Sequence, residues 1–126
     1  MKKLVLVIGL LLIATVTQAQ TLTASWYSVE SCKREGTWQK YGGLMANGQI
    51  FRNENKTAAS WDYTFGTTLK ITNKKSGKSV IVKVTDRGPS KRLYKKGRVI
   101  DLSKSAFAQI ASLKQGIIEI EIEELK

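Results

Sequence analysis

Three stretches of the chain alternate apolar and polar residues with the two-residue period of a half-buried strand. In residues 67–72, Leu69 and Ile71 share one face. In residues 79–85, Val80, Val82 and Val84 point one way, Ile81 and Lys83 the other. In residues 117–122, Ile118, Ile120 and Ile122 alternate with Glu119, Glu121 and Glu123, as in an antiparallel sheet with one face on a core. Asn73-Lys74-Lys75-Ser76-Gly77 joins the first two stretches as a short turn, which predicts a hairpin. Residues 21–27, rich in threonine and aromatics, and residues 99–102 are further predicted strands. Asn47-Gly48 marks a tight turn between Leu44-Met45 and Ile50-Phe51. Ser103 suits a helix N-cap, Ala106, Phe107, Ile110 and Leu113 follow at helical spacing, and Gly116 is expected to close that helix. Residues 30–43, with Gly36, Gly42 and Gly43, read as a long loop. Asp86-Arg87-Gly88-Pro89 stops its strand, and a basic loop is expected from there to Gly97. Short strands with one late helix in about 100 residues argue a mainly β fold, a small barrel or sandwich.

The first nineteen residues change the picture of where this fold works. Lys2 and Lys3, the thirteen-residue apolar run 4–16, and small residues Thr17 and Ala19 have the order of an export signal cut before Gln20. The run is shorter than the roughly 20 residues that span a bilayer. Residues 20–126 are therefore expected to be one exported domain, periplasmic or secreted, with no stable membrane anchor. No cysteine stands at the cut, so no lipidation is expected. Cys32 is the only cysteine, which rules out an internal disulfide, and with no histidine to activate it the thiol is expected to be passive.

The whole chain carries 21 Lys+Arg against 10 Asp+Glu; without Lys2 and Lys3 the balance is 19 against 10, or +9. That charge suits anionic surroundings such as cell-wall polymers. Part of it simply solvates turns, as at Lys74, Lys75, Lys95 and Lys96. No nucleic-acid motif and no nucleotide loop is present. Without histidine or clustered carboxylates, no metal or other cofactor is expected.

Four pieces in order carry a resemblance: Ala24-Ser25-Trp26-Tyr27; Met45-Ala46-Asn47-Gly48; Thr57-Ala58-Ala59 with Phe65-Gly66-Thr67; and Val84-Thr85-Asp86-Arg87-Gly88-Pro89 with Arg98-Val99-Ile100-Asp101-Leu102-Ser103. Together they resemble the rare lipoprotein A domain, over nearly all of the exported part. The resemblance implies a six-stranded double-psi β-barrel with a groove, with one short helix in its C-terminal half. It also implies action on peptidoglycan glycan strands as an endolytic lytic transglycosylase of stem-peptide-free glycan, by a protein expected to be monomeric. Active members use a Glu, a His and an Asp. The Glu column holds Gln49 here and the His column holds Ser60, while Asp86 keeps the Asp column.

Hydrolysis of a glycosidic bond needs two carboxyls. Lytic transglycosylation needs only one: it protonates the leaving oxygen, then takes the proton of the sugar's own 6-hydroxyl as that oxygen attacks. Asp86 is the first candidate for this acid and base, given burial enough to keep it protonated. Asp101, in an Asp-Leu-Ser setting, is the second, and Asp62 is a possible local substitute for the missing His. Each has a plainer reading, as a turn cap or ion-pair partner for Asp86 and a barrel-seam residue for Asp101. Candidate substrate contacts are Trp61 and Tyr63 beside the His column, Tyr27, Arg87, Asn47, Gln49 and Ser60. Trp38 and Tyr41 are placed to form a groove wall. The alternative to an enzyme is a non-catalytic, expansin-like polysaccharide-binding module.

Overall fold

The computed structural model describes residues 21–126; the predicted export leader lies outside the described residues. Six strands form a closed barrel: β1 (Thr23–Tyr27), β2 (Thr57–Ser60), β3 (Thr68–Asn73), β4 (Ser79–Asp86), β5 (Arg98–Ser103) and β6 (Ile118–Leu125). Their order around the barrel is β1-β5-β2-β4-β3-β6. The β1/β5 and β2/β4 pairs are parallel, and the other four contacts are antiparallel. Two parallel pairs interlocked in one closed six-stranded barrel are the double-psi arrangement that the motifs implied.

The alternating stretches do what their period requires. Leu69, Ile71, Val80, Val82, Val84, Ile118 and Ile120 are buried, while Ile81, Lys83, Glu119 and Glu121 face water. Four short helices decorate the barrel: α1 (Val29–Glu35), α2 (Thr37–Tyr41), α3 (Lys91–Lys95) and α4 (Lys104–Ile110). Only α4 has buried residues, placing Ala106, Phe107 and Ile110 over one barrel end. Ser103 caps it as expected, accepting the Ala106 N–H at 3.4 Å and donating to the Asn55 carbonyl at 2.6 Å.

Three expectations are corrected. Residues 30–43 are mostly α1 and α2 rather than a loop, and the basic segment before Gly97 contains α3. None of these three helices buries a residue, so no apolar stripe existed for periodicity to reveal. The α1 start is fixed locally instead. The Ser28 hydroxyl accepts the Ser31 N–H at 3.0 Å, and Ser31 Oγ accepts the Ser28 N–H at 2.9 Å. Asn53 Oδ1 then takes the Val29 N–H at 2.8 Å. Lastly, α4 ends at Ile110, and Leu113 belongs to a separate 3₁₀ turn, Leu113–Gln115, closed by Gly116. The Asn73 side-chain amide donates to the Ile110 carbonyl at 2.8 Å, occupying an acceptor that another helical turn would have used.

Candidate functional site

The chemistry gathers where three neighbouring strands lie at one level. Ala59 on β2 pairs with Asp86 at the end of β4 and with Asp101 on β5. Strands lie about 4.8 Å apart, and paired residues share a face. The two carboxylates thus flank a single methyl group, one strand to either side. A register shift between Ala58 and Ala59 against β4 brings Asp86 to that level. All three residues line one open cleft of about 760 Å³.

Asp86 caps its turn, as the plainer reading expected. Its Oδ1 accepts the Ala46 N–H at 2.9 Å and the Arg87 N–H at 2.9 Å, which orients the carboxylate and ties the Asn47-Gly48 turn to β4. Oδ2 takes neither bond. Asp101 is more enclosed. Burial pushes its carboxyl above the ordinary aspartate value of 3.8, against the Arg98 guanidinium 3.1 Å away, which pulls it down. The charges of Glu35 and Asp86 add to the upward push.

Tyr27 contributes a buried hydroxyl to the same cleft. Its ring stacks on Phe51 with centroids 4.4 Å apart, and its Oη lies beside the Asp86 carboxylate without a well-aligned hydrogen bond to any described residue. Burial first, then the negative charges of Asp86 and Asp101, hold this phenol well above its usual value. A buried hydroxyl without a partner costs stability, about 1–3 kcal/mol, unless something else satisfies it.

The cleft wall comes from the helical segment that sequence reading treated as a loop. Trp38, Tyr41 and Leu44 line it as foreseen for the two aromatics, and Tyr41 is 56% exposed. Gly43 is needed there: its φ is +73°, and a Cβ would stand 2.7 Å from the Trp38 ring. The same segment brings Glu35 into the cleft, a carboxylate that sequence reasoning missed. Burial keeps the Cys32 thiol raised, as suits a passive group.

The remaining candidates fall at the rim or behind it. Arg87 lines the cleft, with its guanidinium 4.4 Å from the Phe65 ring centroid. Asn47 and Gln49 bond each other at the turn, Nδ2 to Oε1 at 3.0 Å. Ser60, 1% exposed, turns inward, and its Oγ accepts the Asp62 N–H at 3.1 Å; it is closed off from any substrate. Tyr63 packs against the core and is not among the cleft-lining residues. Asp62 is held by the Tyr94 hydroxyl. Trp61 stands behind Gly88 at the cleft's end, donating to the Pro89 carbonyl at 2.7 Å, with the Lys91 ammonium 3.8 Å from its ring centroid. Gly88 has room for no side chain, since a Cβ would meet the Trp61 indole at 2.5 Å. A second hollow of about 440 Å³ beside the β3–β4 turn has Lys75 and Lys78 as its only ionisable groups.

A family model described as lytic transglycolase matches residues 19–122. The chain belongs to the lytic transglycolase family. The endolytic peptidoglycan transglycosylase RlpA of Rickettsia felis is 38% identical over 112 residues, 89% of this chain and 45% of the relative. The chain thus spans under half the length of that curated relative. Among solved structures, a Streptomyces papain inhibitor superposes with a TM-score of 0.61 at 22% identity, covering 84% of this chain and 93% of its own. An expansin of Clavibacter michiganensis solved with cellohexaose gives 0.59 at 21%, covering 85% and 50%. At such identities the two neighbours share the double-psi barrel fold.

Proposed function

We propose that the protein cuts the glycan strands of peptidoglycan as an endolytic lytic transglycosylase acting on stem-peptide-free glycan. The family and the RlpA relative support the reaction class. The observation that carries it is the pair Asp86 and Asp101 flanking Ala59 at the floor of an open cleft.

The environments suggest a division of labour between the two, with Asp101 rather than Asp86 as the acid. Asp101, raised by burial, is the better donor of a proton to the leaving glycosidic oxygen. The C1–O bond breaks and the leaving sugar departs as an alcohol. The 6-hydroxyl oxygen of the retained sugar closes on C1, and its proton passes to the carboxylate of Asp86. The product is a 1,6-anhydro end, and no water is consumed. Trp38 and Tyr41 offer faces on which sugar rings can stack. The protein works after export, as a monomer.

One reading competes, a glycan-binding module without catalysis. It draws on Gln49 and Ser60 in the Glu and His columns, since Gln49 is bound to Asn47 and Ser60 is buried. Digestion of stem-peptide-free glycan, read by mass spectrometry, separates the two. The enzyme gives anhydro-ended fragments, and Asp101→Asn and Asp86→Asn abolish them. A wild-type protein that is retained on insoluble peptidoglycan yet releases no anhydro ends is a binder.

A further inference from the structure

Glu35 is an oddly placed acid. It ends α1, where the helix dipole disfavours a negative charge, although Lys33 and Arg34 share that last turn. It makes no ion pair among the described residues, the one salt bridge there being Arg98–Asp101. Its position is nonetheless set closely. The Ser28–Ser31 capping box fixes where α1 begins, and Gly36, at φ +78°, turns the chain straight into α2. The result is a carboxylate on the wall of the cleft whose floor holds Asp86 and Asp101.

A second feature of the cleft points to a ligand independently. The Tyr27 hydroxyl is buried, lines the same space and lies beside the Asp86 carboxylate without a well-aligned hydrogen bond to any described residue, so it can turn to an acceptor on a bound molecule. No three of the carboxylates and other potential ligands among the described residues are grouped to hold a metal ion. With carboxylates at Glu35, Asp86 and Asp101 and aromatic faces at Trp38 and Tyr41, the cleft suits a hydroxyl-rich molecule that develops positive charge, as a sugar does at C1 when its glycosidic bond breaks.

We infer that Glu35 is a further catalytic carboxylate, reaching the substrate from the helical wall and stabilising the positive charge at the anomeric carbon. This rests on the transglycosylase reading above. Glu35 transfers no proton. Asp101 gives its proton to the leaving oxygen, and Asp86 receives that of the 6-hydroxyl. Its charge also bears on Asp101, favouring the protonated form. The other groups facing Asp101 are Arg98 on its own strand, Asp86 on β4, and Tyr27 on β1. Cys32 and Arg87 line the same cleft.

The test compares wild type, Glu35→Gln and Glu35→Asp on stem-peptide-free glycan, with anhydro ends quantified across pH and circular dichroism checking the fold. Expected for Glu35→Gln is a fall in kcat of about 100-fold, typical of losing one preorganised electrostatic contact, with KM little changed. Its alkaline limb should also move to lower pH, because Asp101 loses a neighbouring negative charge. Glu35→Asp, which keeps the carboxylate, should retain part of the rate lost in Glu35→Gln. Wild-type activity with Glu35→Gln within threefold of it overturns the role of Glu35 and leaves the transglycosylase reading standing. A lowered rate with an unmoved alkaline limb also overturns it, since that is what a merely structural residue would give. No anhydro ends from wild type overturns both.

Discussion

The two halves of the barrel are built on different terms. The half made by β3, β6 and most of β4 has mainly apolar inward positions, from Leu69 and Ile71 through Val80, Val82 and Val84 to Ile118 and Ile120, and its buried Asn73 is satisfied by the Ile110 carbonyl. Its antiparallel ladders run without a register shift. The half made by β1, β2 and β5 has two register shifts, at Thr23/Ala24 and Ala58/Ala59. It also buries Ser25, Thr57, Ser60 and Ser103 and, among the described residues, holds Tyr27 Oη and Thr57 Oγ1, which are buried without a well-aligned hydrogen bond. Such features cost stability, and they collect in the half whose open side is the cleft. The difference teaches that one half holds the barrel closed while the other is shaped around a site.

The largest effect should come from the packed side. Leu69, fully buried on β3, should cost about 2–5 kcal/mol on replacement by alanine in a chemical-denaturation measurement. A loss below 1 kcal/mol would break the claim that this packing holds the barrel. Next, Gly88→Ala forces a methyl into the Trp61 indole and should cost about 1–3 kcal/mol, with a displaced Trp61 visible in its fluorescence. An unchanged spectrum and melting temperature would mean that the Asp-Arg-Gly-Pro turn is less tightly backed than the geometry requires.

The cleft side should behave in the opposite way. Tyr27→Phe removes a buried hydroxyl without a well-aligned hydrogen bond and should be neutral or stabilising by up to about 1 kcal/mol at pH 7. The sign of its pH dependence follows from linkage. The folded phenol titrates above 10.0, so wild type loses stability as pH rises past that value, and Tyr27→Phe should not show that loss. Asp101 gives the acidic counterpart. With its folded carboxyl raised above 3.8, the native state binds the proton more tightly, and stability falls as pH climbs from 3.8 through the raised value. Asp101→Asn should flatten that segment of the stability–pH curve, and a steeper fall would reverse the assignment. The smallest effect is expected from Lys91→Ala, which removes the ammonium over Trp61 and should change stability by about 0.5–1 kcal/mol.

The same division governs what sequence reading can see. The packed half was legible because burial on one face of a strand imposes a two-residue period, and β3, β4 and β6 all show it. Fold and family followed from the ordered motifs, and Asp86 and Asp101 from their places within them. β2 was visible only as a motif: all four of its residues are small and buried, so no alternation exists to read. The wall formed by α1 and α2 escaped for the converse reason, since helices of seven and five residues with no buried side chain leave no stripe. Glu35 went unseen with them. The signal that would have found it was the Ser28-x-x-Ser31 cap, weaker than the usual pattern ending in Glu or Gln. Ser60 shows the limit of carrying a motif column across. The position matches, but here its hydroxyl turns inward to the Asp62 amide and Ala59 faces the cleft.

Titrating isotope-labelled protein with a stem-peptide-free glycan tetrasaccharide, and following backbone amide shifts by NMR, tests the central claim most directly. Perturbations should gather at Tyr27, Glu35, Trp38, Ala59, Asp86 and Asp101, with β3 and β6 silent. Shifts centred on β3 and β6 or on the basic α3, or no shifts at millimolar glycan, would contradict the assignment of the site to this cleft.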